Sequence, residues 1–99
     1  VPFETTIAGV LIRGRIDAIY ADGDSFQVVD WKTGSKKLGA SAQVQLAMYR
    51  LAWAKLSGCD ISKISAAFHY VPTGITDQPA DLLDEAALIE LIKSVGTLP

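Results

Sequence analysis

Residues 41–56 are the segment that most limits how this chain can fold. Their pattern predicts a helix, with Ser41 as its N-cap and Gly58 as its C-cap. Its apolar side chains form two adjoining stripes, and only Gln43 and Arg50 mark a clearly polar side. The stripes are Val44, Ala47, Met48 and Leu51, and then Leu46, Tyr49, Trp53 and Leu56. An apolar arc this wide needs two packing partners. We expect one to be a sheet and the other to be an element outside this chain.

Segments rich in β-branched residues lie on both sides of this helix and predict strands. They cover residues 3–8, 10–21 and 25–33 before it and residues 63–71 after it. Tight turns are expected at Gly9 and at Gly23, so the first three strands should form an antiparallel meander. A last helix is expected over residues 82–95, with Asp81 as its cap and Gly96 as its stop. The order βββαβα predicts an α/β, more closely α+β, fold.

Composition limits the class of protein. The chain has 99 residues, of which 49% are hydrophobic and 20% charged, which fits one small globular domain. No apolar run approaches the ~20 residues of a membrane span, and no signal-peptide pattern is present. The single cysteine, Cys59, excludes a disulfide within the chain. We therefore expect a cytoplasmic protein without a membrane segment. Because the chain begins with Val1, we expect it to be cut from a longer protein.

Three charged residues stand where a plain core strand would not have them. Asp30 and Lys32 are two apart on one predicted strand, so their side chains point to the same face. Asp17 lies on the neighbouring strand, where the register could bring its carboxylate beside that of Asp30. Carboxylate oxygens suit Mg²⁺ or Mn²⁺, and a lysine beside them can stabilise charge on a phosphate. The pattern therefore fits phosphodiester hydrolysis, although an Asp and a Lys two apart also fit a surface ion pair, which contributes little stability.

Other polar residues keep two interpretations each. Gln45 sits within the apolar arc, so it is either a hydrogen-bonded structural residue or one that reaches the site. Tyr49, one turn later, could equally belong to the core. His69 is more consistent with a structural role, since it is the only histidine. Cys59 has no histidine near it in sequence, which argues against nucleophilic catalysis.

Three short blocks occur together in a characteristic order. They are G-x-I-D at residues 14–17, V-V-D-W-K-T-G at residues 28–34 and Q-x-x-x-Y at residues 45–49. In these blocks the chain resembles the RecB-type branch of the PD-(D/E)XK nucleases. The resemblance implies a restriction-endonuclease-like core, with a mixed sheet of about four strands and flanking helices.

The resemblance also implies a role for each matching residue. Asp17 and Asp30 would bind the metal, Mg²⁺ or Mn²⁺, together with the backbone carbonyl of Trp31. Lys32 would be the catalytic lysine. Gln45 and Tyr49 would lie beside the site and contact DNA. The implied activity is that of a metal-dependent deoxyribonuclease. An iron–sulfur cluster, which some relatives bind through four cysteines, is excluded within this chain because it has only Cys59.

The chain departs from the family in one respect. The family's first motif lies on an upstream helix that usually supplies a histidine ligand, and this chain has no such helix in its sequence. We therefore expect residues 1–99 to be a single partial nuclease domain, weak or inactive alone. Without that helix, part of the stripe of Leu46, Tyr49, Trp53 and Leu56 should be uncovered, and the chain should dimerise or pack through it.

The resemblance further implies partners. Such domains are often fused to UvrD/Rep-type helicase motors that act in bacterial DNA repair and recombination. The net charge of −2 is unfavourable for holding DNA, and the one basic cluster is Lys36 and Lys37. Affinity for DNA should therefore come from other parts of the protein or from bound cations. The alternative is a non-catalytic DNA-binding or structural module of a helicase that keeps the nuclease fold.

Overall fold

The computed structural model describes residues 1–34 and 39–96, and its elements confirm a mixed α+β fold with a four-stranded mixed sheet and two helices. The first half contains β1 (Pro2–Ile7), β2 (Val10–Arg15), β3 (Ala18–Asp22) and β4 (Ser25–Lys32). Then follow α1 (Ala40–Ser57), a short 3-10 turn (Ile61–Lys63), β5 (Ile64–Tyr70), β6 (Ile75–Asp77) and α2 (Glu85–Gly96). The three-residue strand β6 was missed by the sequence pattern, because so short a segment has no measurable alternation.

The strands form two sheets. The main sheet has the order β3-β4-β5-β6, whereas β1 and β2 form a separate two-stranded hairpin. β4 and β5 are parallel, and the other neighbouring pairs are antiparallel. Parallel neighbours need a long crossover connection, which α1 supplies here. In sequence, α1 therefore lies between β4 and β5, which are neighbours in the sheet.

The predicted three-stranded meander was wrong, because the strand expected over residues 10–21 breaks at Ile16 and Asp17. In β2 the inward positions are Ile12 and Gly14, in phase with the fully buried Ile16, but in β3 the residue that packs on the core is Ile19. An unbroken strand would have turned Asp17 away from the side that buries Ile16. The break changes the phase of alternation, so that Ile16 is buried in the core while the next residue, Asp17, reaches the backbone of Trp31.

Two tight turns confirm the predicted hairpin connections. Ala8 and Gly9 join β1 to β2 with φ values of 53° and 77°, which is the backbone of a two-residue turn with both central φ angles positive. Gly23 has a φ of 61° in the turn from β3 to β4. There the Ser25 hydroxyl donates to the carbonyl of Asp22 at 2.7 Å. Both turns keep their strands in the antiparallel register.

α1 begins one residue earlier and ends one residue later than predicted. Its N-cap is Gly39 and not Ser41, and glycine has no side chain with which to cap. At the other end Gly58 has a φ of 72°, and its N–H donates to the carbonyl of Ala54 at 3.1 Å. Glycine reaches this left-handed conformation without a Cβ penalty, so Gly58 is confirmed as the C-cap.

The broad apolar arc of α1 does have two partners, and both belong to this chain. One side packs on the main sheet, where Leu46 is fully buried and Tyr49 and Trp53 are half-buried against the core. The other side packs against β1 and α2 in a second cluster of Ile7, Ala47, Leu51 and Leu88. The part of the stripe left uncovered is Leu56, which is 47% exposed, whereas its other three members are buried or half-buried. This burial removes the reason for expecting a dimer through that stripe.

α2 begins three residues later than predicted. Its first turn is capped by Asp84, whose Oδ1 accepts the N–H of Ala87 at 2.9 Å, and not by Asp81. Leu82 is not helical but packs against both core clusters. Because it is apolar for that reason, the sequence pattern included it in the helix. Neither helix in the described residues is long and apolar enough to span a membrane.

Candidate functional site

Asp30 and Lys32 lie near the carboxyl end of β4, on the side that faces α1. In the register with β5 they stand opposite Phe68 and Tyr70, both of which belong to the core. Lys32 Nζ lies 3.0 Å from Asp30 Oδ2, and the two side chains are only 29% and 11% exposed. Asp30 is buried and Lys32 is half-buried, so this pair differs from a fully exposed one because the carboxylate has lost much of its water. The surface-ion-pair interpretation is therefore wrong.

Asp17 comes to the same place from the break between β2 and β3. Its Oδ2 accepts the backbone N–H of Trp31 at 2.9 Å. Lys32, the next residue, uses its carbonyl to accept the N–H of Val71 on the β5 side. Because successive residues of a strand direct their backbone groups to opposite sides, Trp31 directs its own toward β3. β3 does not extend as far as Trp31, because it begins at Ala18, opposite Val29. The Asp17 carboxylate accepts the N–H of Trp31 in place of a strand partner.

The two carboxylates influence each other directly. Burial raises the pKa of Asp30, the hydrogen bond from Lys32 opposes that rise, and the hydrogen bond and negative charge of Asp17 add to it. The structure thus brings Asp17, Asp30 and Lys32 together at one sheet edge. It holds two acids and one ammonium there, which leaves an excess of negative charge.

This donor set fits a hard divalent cation. Two carboxylates with a shared excess of charge are the ligands that Mg²⁺ and Mn²⁺ prefer. The carbonyl of Trp31 leaves β4 on the same side as its N–H, which is the side of Asp17. Within residues 1–34 and 39–96, no cluster of three or more His, Cys, Asp or Glu side chains could hold a metal ion. The candidate ligands among the described residues are therefore two carboxylates and one backbone oxygen.

Gln45 and Tyr49 lie one turn apart on α1, at the edge of this site. Gln45 is exposed and not buried, and its Nε2 donates to Tyr49 Oη at 2.8 Å. Burial raises the pKa of Tyr49, and the negative charge of Asp30 raises it further. The Tyr49 ring meets the ring of Phe3 edge-on, with centroids 5.6 Å apart. The sequence pattern did not indicate Phe3, and the one available signal was a glycine, Gly14, inside the opposite strand.

Other residues considered from the sequence lie elsewhere. His69 Nδ1 lies 2.8 Å from Thr76 Oγ1, on the sheet face away from α1. Cys59 lies at the far end of the molecule, where its thiol donates to the carbonyl of Asp24 at 3.7 Å. Lys36 and Lys37 lie outside the described residues. None of these observations connects His69 or Cys59 with the paired carboxylates.

The chain matches the model of a known protein family. The family model for the PD-(D/E)XK nuclease superfamily matches residues 1–96, which includes every residue of the site described above. Among curated proteins, none matches this chain significantly. The family is thus shown by a match over almost the whole chain.

Proposed function

Because the chain belongs to the PD-(D/E)XK nuclease superfamily, we propose that it is a metal-dependent deoxyribonuclease domain with Asp17, Asp30 and Lys32 at its centre. The observation that supports this most directly is the approach of two carboxylates to one another beside a half-buried lysine. A fold without a ligand or a reaction to serve gains little from such a group, since two neighbouring acids repel each other.

Asp17, Asp30 and the Trp31 carbonyl are the proposed ligands for Mg²⁺ or Mn²⁺. When bound, such a cation supplies a Lewis acid that neutralises the charge of a phosphodiester and favours ionisation of an attacking water. The hydrogen bond from the Trp31 N–H holds the Asp17 carboxylate in one orientation. A ligand that is already oriented loses less conformational entropy when a cation binds.

Lys32 is the proposed catalytic residue. Its ammonium group lies 3.0 Å from Asp30 Oδ2. A lysine has three N–H donors, so Lys32 can hold Asp30 with one and donate others to a phosphate oxygen or a water. In that position it stabilises the negative charge that grows on the phosphate as the bond breaks.

Gln45 and Tyr49 are the proposed DNA contacts. Tyr49 Oη accepts a hydrogen bond from Gln45, so its own O–H remains able to donate to a phosphate oxygen. Gln45 lies in the second turn of α1 and Tyr49 near the middle of that helix, where the charge of Asp30 acts on the Tyr49 hydroxyl. They would position the DNA backbone, which fixes the register of a bound strand.

Three short sequence blocks, at residues 14–17, 28–34 and 45–49, support a narrower family and a partner for this domain. We propose that this domain belongs to the RecB-type branch, that residues 1–99 are part of a larger nuclease domain, and that an upstream histidine completes the metal site. We further propose that it works with a helicase motor in DNA repair or recombination. The net charge of −2 favours an arrangement in which other protein segments help to hold the DNA.

The test is substitution of Asp30 in the full-length protein. Asp30→Ala should abolish both oligonucleotide cleavage and Mn²⁺ binding measured by calorimetry. Asp24→Ala is the matched control, because Asp24 is an exposed acid that pairs with Lys63 at the far end of the sheet. Wild-type Mn²⁺ affinity in Asp30→Ala would contradict the proposed site. Intact DNA binding without cleavage in the wild-type protein would instead favour the non-catalytic module.

A further inference from the structure

Phe3 is a buried aromatic residue that lies close to the site without belonging to it. It stands on β1, is 7% exposed, and is paired in register with Gly14 on β2. Its ring meets that of Tyr49 at an interplanar angle of 79°, an edge-to-face arrangement that aromatic pairs prefer. Tyr49 is thus held on one side by a residue of the hairpin.

Gly14 makes this contact possible. A Cβ at Gly14 would lie 3.2 Å from two ring carbons of Phe3 and 3.4 Å from Cε1 of Tyr49. Contacts of 3.2 Å would force the Phe3 ring to move. Glycine weakens the interior of a strand, and it is found where another group must approach the backbone closely. Here the two rings that meet over Gly14 are those of Phe3 and Tyr49.

The polar end of Tyr49 faces a different environment from its ring. The ring is half-buried against Phe3 and Gly14, whereas the hydroxyl group carries the hydrogen bond from Gln45 and senses the charge of Asp30. A tyrosine on a helix has two rotatable side-chain bonds, so a contact along the ring limits where the hydroxyl can stand. Movement of the Phe3 ring would therefore be transmitted to the hydroxyl.

We infer that Phe3, lying over Gly14, is a positioning residue that holds the Tyr49 hydroxyl at the edge of the carboxylate site for contact with the DNA backbone. The hairpin of β1 and β2 thereby takes part in substrate binding, although Phe3 touches no carboxylate. This inference depends on the proposed function, because it assigns Tyr49 to the same substrate. Simple core packing is the competing explanation, and it predicts a loss of stability alone.

The experiment compares four single variants in the full-length protein, together with two double variants that combine Tyr49→Phe with each of the two changes at the hairpin. The single variants are Phe3→Leu, Gly14→Ala, Tyr49→Phe and, as the matched control, Ile7→Val. Ile7 is a buried residue of the same strand, but it packs in the other cluster, with Ala47, Leu51 and Leu88. Thermal unfolding is measured for each, and cleavage and DNA affinity are measured at a temperature where all remain folded. DNA affinity is measured with Ca²⁺ in place of Mg²⁺.

Phe3→Leu and Gly14→Ala should each lower kcat/KM about tenfold, since even a small misplacement can be costly to a positioned contact. The same two changes made in the Tyr49→Phe protein should cause little further loss, because the hydroxyl they position is already gone. Ile7→Val should lower the unfolding temperature and leave kcat/KM unchanged. Wild-type kcat/KM in Phe3→Leu and Gly14→Ala, or losses that add fully to that of Tyr49→Phe, would overturn the inference.

Failure of the proposed function is recognised separately. If the wild-type protein cleaves no DNA, the nuclease proposal fails, and the inference is decided by DNA affinity alone. The same lack of additivity in affinity would then support positioning by Phe3. Additive or absent effects on affinity would overturn it.

Discussion

The Asp17 carboxylate accepts the backbone N–H of Trp31 at 2.9 Å, just before β3 begins at Ala18. This bond joins the break after β2 to the strand that carries Asp30 and Lys32. It allows charge and structure to be separated experimentally, because an asparagine can replace the acceptor without replacing the charge.

Asp17→Asn should therefore keep the fold and lose the metal. The amide oxygen still accepts the Trp31 N–H, while removal of one negative charge relieves its repulsion with Asp30 and weakens cation binding about tenfold or more. Asp17→Ala should lose the cation and also about 1 kcal/mol of unfolding free energy, the typical value of one hydrogen bond. The measurements are Mn²⁺ titration and urea unfolding. An Asp17→Asn protein that binds Mn²⁺ as tightly as the wild type would contradict the ligand role.

Lys32→Ala should remove cleavage while leaving DNA binding largely intact. The proposed contacts of Lys32 strengthen as the phosphodiester breaks, so their loss acts on the transition state more than on the bound state. The substitution also removes the ammonium group that pairs with Asp30, a carboxylate only 8% exposed. The free energy of unfolding should therefore fall by about 1–3 kcal/mol. Single-turnover cleavage, DNA affinity and urea unfolding measure the three effects.

The control for Lys32 is Lys63→Ala. Lys63 Nζ forms a 2.6 Å ion pair with Asp24 Oδ2, but both side chains are at least half exposed. Its loss should change the unfolding free energy by less than about 1 kcal/mol and leave cleavage unaltered. Cleavage at the wild-type rate by Lys32→Ala would remove the catalytic role assigned to this residue.

The 99-residue chain alone should be a poor nuclease. A cation held by Asp17, Asp30 and one carbonyl keeps most of its waters and binds weakly. A longer protein that includes an upstream histidine should bind Mn²⁺ more tightly and cleave faster. The assay is oligonucleotide digestion with Mg²⁺ or Mn²⁺ by both proteins at equal concentration. Equal activity would show that the ligands within this chain suffice.

Asp60 should make the free energy of unfolding depend on pH in the acid range. Its side chain accepts the N–H of Ser62 at 2.9 Å, and this bond, together with that to the Ser62 side chain, lowers the pKa of Asp60 below its ordinary value of 3.8. A lowered pKa in the folded state means that the stabilisation is fully present above the unfolded value. It is lost as the pH falls through the folded value.

The corresponding comparison is between wild type, Asp60→Ala and Asp60→Asn in urea unfolding across the acid range. The stability advantage of the wild type over Asp60→Ala should shrink below pH 3.8. Asparagine keeps an acceptor but does not titrate, so the advantage of Asp60→Asn over Asp60→Ala should not change with pH. A wild-type advantage that stays constant at low pH would show that Asp60 does not stabilise the fold through its charge.

The sequence predicted the parts of the fold that are long and periodic. β4, β5 and α1 were found because each extends over several repeats of its own pattern, and Asp30 and Lys32 follow from simple alternation on β4. The break at Ile16 and Asp17 was not predictable in this way. Residues 10–21 contain β-branched and aromatic residues throughout with no Pro to mark a break, so the break depends on which partner each half packs against.

Other failures have the same origin in tertiary contacts. The covering of α1 by Ile7 and Leu88 joins segments from opposite ends of the chain, and no local pattern reports it. The edge-to-face contact of Phe3 and Tyr49 is likewise remote in sequence. The N-caps were misjudged at both helices, because Ser41 and Asp81 are good capping residues by type and only the folded backbone places Gly39 and Asp84 at those positions.

The direction of β4 gives the molecule two unequal ends. The turn at Gly23 lies about 23 Å from Asp30, the rise of seven extended residues. Beside that turn, Cys59 and Lys63 contact Asp24. Insertions at this distal end would lengthen the protein away from the carboxylates. At the other end, Asp17 and Lys32 lie beside Asp30. Evolutionary change in length should therefore be unevenly distributed, frequent at one pole of the domain and rare at the other.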